Sequence, residues 1–330
     1  MRKTPLAVLG AVAVVVALAT GAGAGTTSTR LAGHDRYGTA VAISRYAYEP
    51  RYTGEPVTVT VTSGADFVDA RAAGTAASHF GGPLVLVPTD GTLPATVAAE
   101  LKRLHPAMVV IAGGALTVSG RIESQLKHFG WGTVYRPAGQ DRYQTAAYLA
   151  GLAGGLNTTV FIATGEATPD ALGGTAAAGR LGGSLLLTGR DIVPDATARA
   201  LARNRPAKVV VLGGETSVSP AVFEQIKRLT PSASVERWAG GDRYETAAVI
   251  SKRTYPRGAG TVYLASGSSY ADAYAGAPAA AANGAPLLLT TPNCVPASTA
   301  AEITRLGART VVVLGGLQVV SAEAANLAGC

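Results

Sequence analysis

Along this chain, short β-branched runs alternate with longer segments in which apolar residues recur three and four positions apart. Val57 to Thr62 reads as a strand, Leu84 to Val87 as a short apolar strand, and Met108 to Ala112 as a third ending in Gly-Gly. Between them the spacing predicts helices. Tyr37, Ala40, Val41 and Ser44 share one helical face behind the N-cap candidate Asp35. Asp69 opens an Ala-rich helix to about Phe80, Pro94 starts one through Leu104, and Ser119 caps another to about Lys127. Thr133 to Arg136 is the strand that leads onward. Strands of four to six apolar residues separated by helices predict parallel sheet covered on both faces, and so an α/β fold.

The whole pattern then recurs. Arg30-Leu-Ala-Gly-His-Asp-Arg-Tyr-Gly-Thr39 returns as Arg136-Pro-Ala-Gly-Gln-Asp-Arg-Tyr-Gln-Thr145 and as Arg237-Trp-Ala-Gly-Gly-Asp-Arg-Tyr-Glu-Thr246. Val68-Asp69-Ala70, Pro169-Asp170-Ala171 and Ala271-Asp272-Ala273 keep step. So do Gly82 to Leu86, Gly183 to Leu187 and Ala285 to Leu289, and the Gly-Gly strands ending at Gly114, Gly214 and Gly316. Four landmarks in constant order, three times over, define three tandem modules at 28–133, 134–234 and 235–330. Each is long enough for its own core, with an open sheet of flavodoxin- or Toprim-like build. Phe129-Gly-Trp-Gly132 and Thr230-Pro-Ser-Ala233 are turns rather than linkers, so the modules must touch. Three like bodies with equivalent contacts pack into a ring of approximate threefold symmetry or into an open row. The Arg-x-Ala-Gly strand decides between them. If it completes the sheet of the preceding module, the third module lacks one, and the segment Thr29 to Gly33 must close the ring. A strand directly after the Ser119 helix pairs most easily with the sheet just left, which favours closure.

Residues 1–24 form a leader. Arg2 and Lys3 precede an apolar run from Leu6 to Ala19, and Ala22-Gly23-Ala24 offers the small residues a signal peptidase reads, so cleavage after Ala24 is expected. The run is short for a membrane span, and none is expected after cleavage. The full chain carries a formal net charge of +7, and the leader removes two positive charges. With no block of Lys and Arg, a nucleic-acid partner is not expected. Gly makes up 41 of 330 residues, well above the usual ~7%, so many tight turns should occur. In a secreted chain, the pair Cys294 and Cys330 suggests a disulfide closing the last module. Because Cys294 follows a strand and Cys330 ends an antiparallel helix, that helix must stop early or the chain must fold back.

Catalytic chemistry leaves little trace. His34, His79, His105 and His128 all lie in the first repeat and none recurs; no Gly-x-Ser-x-Gly, His-Glu-x-x-His or Cys-x-x-Cys is present. No catalytic residue, metal or cofactor is expected. An extracellular wall-remodelling enzyme would need a site confined to one repeat. Ser63-Gly64, Thr164-Gly165 and Ser266-Gly267 follow strands, and are either tight βα turns or cradles for a small anionic ligand.

The recurring polar residues remain. Arg30, Arg136 and Arg237 hold one slot; Arg36, Arg142 and Arg243 hold a second. Asp35, Asp141 and Asp242 precede the second slot as N-cap candidates, and Asp69, Asp170 and Asp272 open the Ala-rich helices in the same role. These residues serve as module glue, or their guanidinium groups grip anions on a repeating polymer at fixed spacing.

The Arg-x-Ala-Gly-x-Asp-Arg-Tyr-x-Thr-Ala opening, the Asp-Ala helix start, the Pro-Leu-Leu-Leu strand and the Val-Val-Val-Leu-Gly-Gly strand resemble the bacterial cell-wall-binding repeat type 2 family. The likeness covers about residues 28–330. It implies three modules held non-covalently on anionic polymer of a Gram-positive wall, teichoic-acid-like or a secondary polysaccharide, often beside an effector domain for which little chain is left here. It also implicates the Pro-Leu-Leu-Leu segment in binding, which maps to Pro83 and Leu84, Ser184 and Leu185, and Pro286 and Leu287. Ser184 departs from the pattern. The expectation is a secreted, non-catalytic wall-binding protein.

Overall fold

A computed structural model describes residues 14–17, 25–48, 57–65, 67, 69–128, 132–152, 159–166 and 170–330. Most of the leader, the turn residues 129–131 and Pro169 lie outside these. The alternation of patterns resolves into β1 (Val14–Ala17), β2 (Thr27–Leu31), α1 (Arg36–Ala47), β3 (Thr58–Ser63), α2 (Ala70–His79), β4 (Leu84–Val87), α3 (Ala95–Leu104), β5 (Met108–Ile111), α4 (Gly120–His128) and β6 (Thr133–Tyr135). The second round is α5 (Arg142–Leu152), β7 (Thr159–Thr164), α6 (Asp170–Arg180), β8 (Ser184–Thr188), α7 (Asp195–Asn204), β9 (Lys208–Leu212), α8 (Pro220–Leu229) and β10 (Ser234–Trp238). The third is α9 (Arg243–Thr254), β11 (Thr261–Ser266), α10 (Tyr270–Ala282), β12 (Leu287–Thr290), α11 (Ala297–Leu306), β13 (Thr310–Leu314) and α12 (Ala322–Ala325).

Three parallel sheets result, ordered β4-β3-β5-β6, β8-β7-β9-β10 and β12-β11-β13-β2, with β1 added antiparallel outside β2. In each, the strand that carries the first-slot arginine, or in β6 directly precedes it, completes the sheet of the preceding module. The third sheet takes its last strand from the start of the chain, with Thr310 opposite Thr27 and Leu314 opposite Leu31. The ring is therefore closed, as the adjacency of strand and preceding helix predicted.

The equivalent helices α2, α6 and α10 each touch the other two around the approximate threefold axis. Their composition explains why they sit there. They are rich in Ala and Gly and apolar on nearly every side, so they are buried between a sheet and two like helices. Close approach is required: a Cβ on Gly174 or Gly276 would stand 2.0 or 2.1 Å from Leu212 or Leu314. One apolar cluster runs through all three modules, and three outer clusters lie beneath the outer helices of each sheet.

Cys294 and Cys330 are bonded, with Cα atoms 5.0 Å apart. Both geometric conditions are met. Helix α12 stops at Ala325, Leu327 turns with φ 62°, and Val295 N donates to Ala328 O at 2.7 Å while Cys330 N donates to Val295 O at 3.1 Å.

Candidate functional site at the module joints

The recurring motif decodes residue by residue into a joint. The first-slot arginines are half-buried and reach back to the Gly-Gly end of the preceding module. Arg30 Nη1 donates to Gly315 O at 2.7 Å and Nη2 to Ser321 O at 3.1 Å; Arg237 bonds Gly213 O and Val218 O at 2.8 and 2.9 Å. Arg136 bonds Gly113 O at 2.8 Å and pairs with Glu123 at 2.8 Å. Burial lowers the Arg30 and Arg237 guanidinium groups from their usual pKa. With their forks committed to backbone carbonyls, and at Arg136 to Glu123 as well, these three arginines are clamps. Of the two roles the sequence allowed them, module glue or a grip on polymer anions, these bonds fill the first.

The glycine three residues on admits the next helix. A Cβ on Gly33, Gly139 or Gly240 would lie 2.2, 2.2 or 2.3 Å from atoms of that helix's first turn. Thr39, Thr145 and Thr246 accept from those glycine N–H groups at 3.0, 3.2 and 3.1 Å. Asp35, Asp141 and Asp242 accept from Gly38 N, Gln144 N and both Tyr244 N and Glu245 N, so each caps its helix. Tyr37, Tyr143 and Tyr244 lie over Gly64, Gly165 and Gly267, where a Cβ would come within 2.8 Å of the ring.

The second-slot arginines face outward. Arg36 is exposed, and Arg142 and Arg243 are half-buried. Each uses Nη1 on the carbonyl of a βα turn: Arg36 on Gly64, Arg142 on Gly165 at 2.5 Å, Arg243 on Gly267 at 2.7 Å. The N–H groups of those turns donate to Val87 O, Thr188 O and Thr290 O. Ser63, Thr164 and Ser266 hydroxyls take the next ones. These donors are satisfied internally, so the turns are tight βα turns and not anion cradles.

Two further expectations fail on burial. Pro83, Leu84, Ser184, Leu185, Pro286 and Leu287 are all buried, because β4, β8 and β12 send alternate side chains into the central and outer cores. Their side chains face the cores and leave no exposed surface for a polymer. Asp69 occupies the cap position of α2 but makes no capping bond; it accepts from Thr117 Oγ1 at 2.8 Å instead. Asp272 is not a cap either: it is the third residue of α10, behind Ser269. The side chain of Asp170 lies outside the described residues.

Asp272 nonetheless matters. Where modules 3 and 1 meet, a cleft of about 520 Å³ is lined by His34, Asp35, Arg36, Phe67, the residues Ser268 to Asp272 at the start of α10, and Gln318. Arg36 stands 5.8 Å from the Phe67 ring centroid. Val319 replaces the Thr117 that serves Asp69, and among the described residues no hydrogen-bond donor reaches Asp272. Burial pushes its carboxyl up to about 6, with the Arg36 charge opposing. The cleft thus combines an exposed cation, hydroxyls, aromatic faces and a buried acceptor. The four histidines lie on separate loops and helix ends, and among the described residues no group of His, Cys, Asp and Glu could hold a metal ion. No helix among them is long and apolar enough to cross a membrane.

The recurring joint is matched beyond this chain. Residues 30–123, 136–223 and 237–325 each match the cell wall binding domain 2 family. The chain is 31% identical over 297 residues to N-acetylmuramoyl-L-alanine amidase LytC and 30% identical over 298 residues to the amidase enhancer, both of Bacillus subtilis. These matches cover 90% of this chain but 57% and 39% of those proteins. Among solved structures it resembles Cwp6 and Cwp8 of Clostridium difficile, with TM-scores of 0.82 and 0.80 and identities of 28% and 26%. The matches cover 96% and 90% of this chain, and 51% of each of theirs. The three joints and the three matched segments place this chain in the cell wall binding domain 2 family.

Proposed function

We propose that this protein is secreted and acts without catalysis of its own, held non-covalently on an anionic polymer of the cell wall. The observation that carries the reading is that all three modules match a wall-binding family. Polymer contact is assigned to the module joints, with Arg36, Arg142 and Arg243 as the cations. An anionic repeat meeting three equivalent arginines gains avidity from weak single contacts. Cleavage after Ala24 would remove β1 and leave β2, which begins at Thr27, free to close the ring.

The test is a pull-down of the secreted chain with purified Gram-positive walls, before and after acid extraction of anionic polymer. Retention should be lost on extraction and should weaken as salt rises, since exposed charge contacts are screened over ~8 Å at physiological ionic strength. Retention unchanged by extraction and by salt would refute the anionic-polymer reading. Intact mass of the secreted chain checks the leader: Gly25 should be the first residue.

A further inference from the structure

In modules 1 and 3 a buried carboxylate seals the space between the first and third helices. Glu100 accepts from Ser44 Oγ at 2.6 Å, Arg45 Nε at 3.0 Å and Arg103 Nη2 at 2.6 Å. Arg103 also donates to Tyr48 O at 2.8 Å. Burial alone would raise the Glu100 carboxyl, but the bonds from Arg103 and Ser44 outweigh it and hold the group below its usual value. Module 3 repeats the device: Glu302 accepts from Ser251 Oγ at 2.6 Å and Arg305 Nη2 at 2.8 Å, and Arg305 bonds Tyr255 O.

Module 2 keeps the arginine and loses its partners. Ala200 stands where the glutamates are, Ala150 where the serines are, and Gly151 at the position of Arg45. Arg203 is exposed, and among the described residues no acceptor takes its guanidinium. It lies over Gly151, where a Cβ would be 3.3 Å from Nη2. Arg203 and Gly151 line a cleft of about 520 Å³ at the outer flank of the joint between modules 1 and 2. Tyr135 and Tyr148 line it and are 45% and 50% exposed. Their counterparts are Thr29 and Glu236, and Ala42 and Val249, so the aromatic pair is confined to this flank.

A guanidinium without an acceptor among the described residues, sharing a cleft with two exposed tyrosines, selects for one kind of ligand. The C–H face of a pyranose packs on aromatic rings, whose faces are electronegative, and a phosphate or carboxylate matches the guanidinium fork. We propose that this cleft is a subsite for an anionic hexose, its ring on Tyr135 and Tyr148 and its charged group on Arg203. Only the source of the sugar rests on the wall-binding reading; the recognition chemistry does not.

Calorimetric titration of the secreted chain tests it, with glucose 6-phosphate and glucuronic acid as probes and glucose and inorganic phosphate as controls. Either charged sugar should bind about tenfold more tightly than both controls, as expected for one charge-assisted pair plus ring packing. Arg203→Gln should erase that advantage. The double variant Ala150→Ser/Ala200→Glu, which gives Arg203 the partners its counterpart has in module 3, should erase it as well without lowering the thermal midpoint. Should the double variant fail to fold, Tyr148→Ala at its exposed position supplies the second readout. Charged sugars binding no better than glucose would overturn the proposal, as would variants that bind like the parent. A chain that holds to walls yet ignores both charged sugars refutes this subsite and leaves wall binding standing. A chain that binds them through Arg203 but not walls does the reverse.

Discussion

The two arginines of each joint lie six residues apart in one recurring motif, yet they occupy different physical situations. Arg30 and Arg237 are half-buried with both Nη atoms on backbone carbonyls of the preceding module, and Arg136 adds an ion pair. Arg36 is exposed, uses one nitrogen on a turn carbonyl and borders an open cleft. Recurrence marks both positions as needed. The acceptors within reach divide them into a clamp and a cation available to a ligand.

Opening the ring should give the largest effect. Deleting residues through Gly33 strips β2 from β13, and hydrogen-exchange protection should fall most in module 3. If module 1 alone loosens, the parallel pairing of β2 with β13 is not what closes the fold. Arg30→Ala should reproduce part of this, lowering stability by about 1–3 kcal/mol as two carbonyls lose their donors. The same change at Arg36 should cost no more than about 1 kcal/mol.

Removing the tie at the other end comes next. Replacing Cys294 and Cys330 with Ser releases a loop of sequence separation 36 and should lower unfolding stability by about 2–4 kcal/mol in denaturant titration. An unchanged midpoint would mean that the backbone bonds of Val295 hold the C-terminus alone.

A smaller effect separates the joint of modules 3 and 1 from its counterparts. Asp272 has a folded value of about 6, above its ordinary value near 3.9. The folded chain therefore holds this proton more tightly. The stability it contributes is full below about pH 4 and is lost as pH rises through about 6. Asp272→Asn should flatten stability between pH 4.5 and 7 and leave the variant about 1–2 kcal/mol more stable than the parent at pH 7. Parallel pH profiles for both chains would contradict this.

Much of the architecture was legible in the sequence because it rests on local pattern. β-branched runs, Pro94 and Ser119 as helix starts, and three copies of one motif mark strands, helices and modules. Ring closure also followed, from which sheet a strand lies beside. The site was harder to read. The enclosure of Leu84 and Leu287 was implied by apolar strands in a sheet covered on both faces, but nothing local revealed that Arg30 meets Gly315 across the ring. Comparing repeats position by position could have found two features. Val319 replaces Thr117 beside a buried Asp, and Ala200 replaces Glu100 and Glu302 beside an arginine that stays.

The most direct test of wall retention through the joint arginines is the triple variant Arg36→Gln, Arg142→Gln and Arg243→Gln on purified walls. Each change removes one cation from a separate joint and leaves the clamps in place. The variant should keep its closed ring, as judged by hydrogen exchange in β13, and lose most of its wall retention at physiological salt. A folded variant that holds to walls as firmly as the parent would contradict the assignment of polymer contact to these arginines.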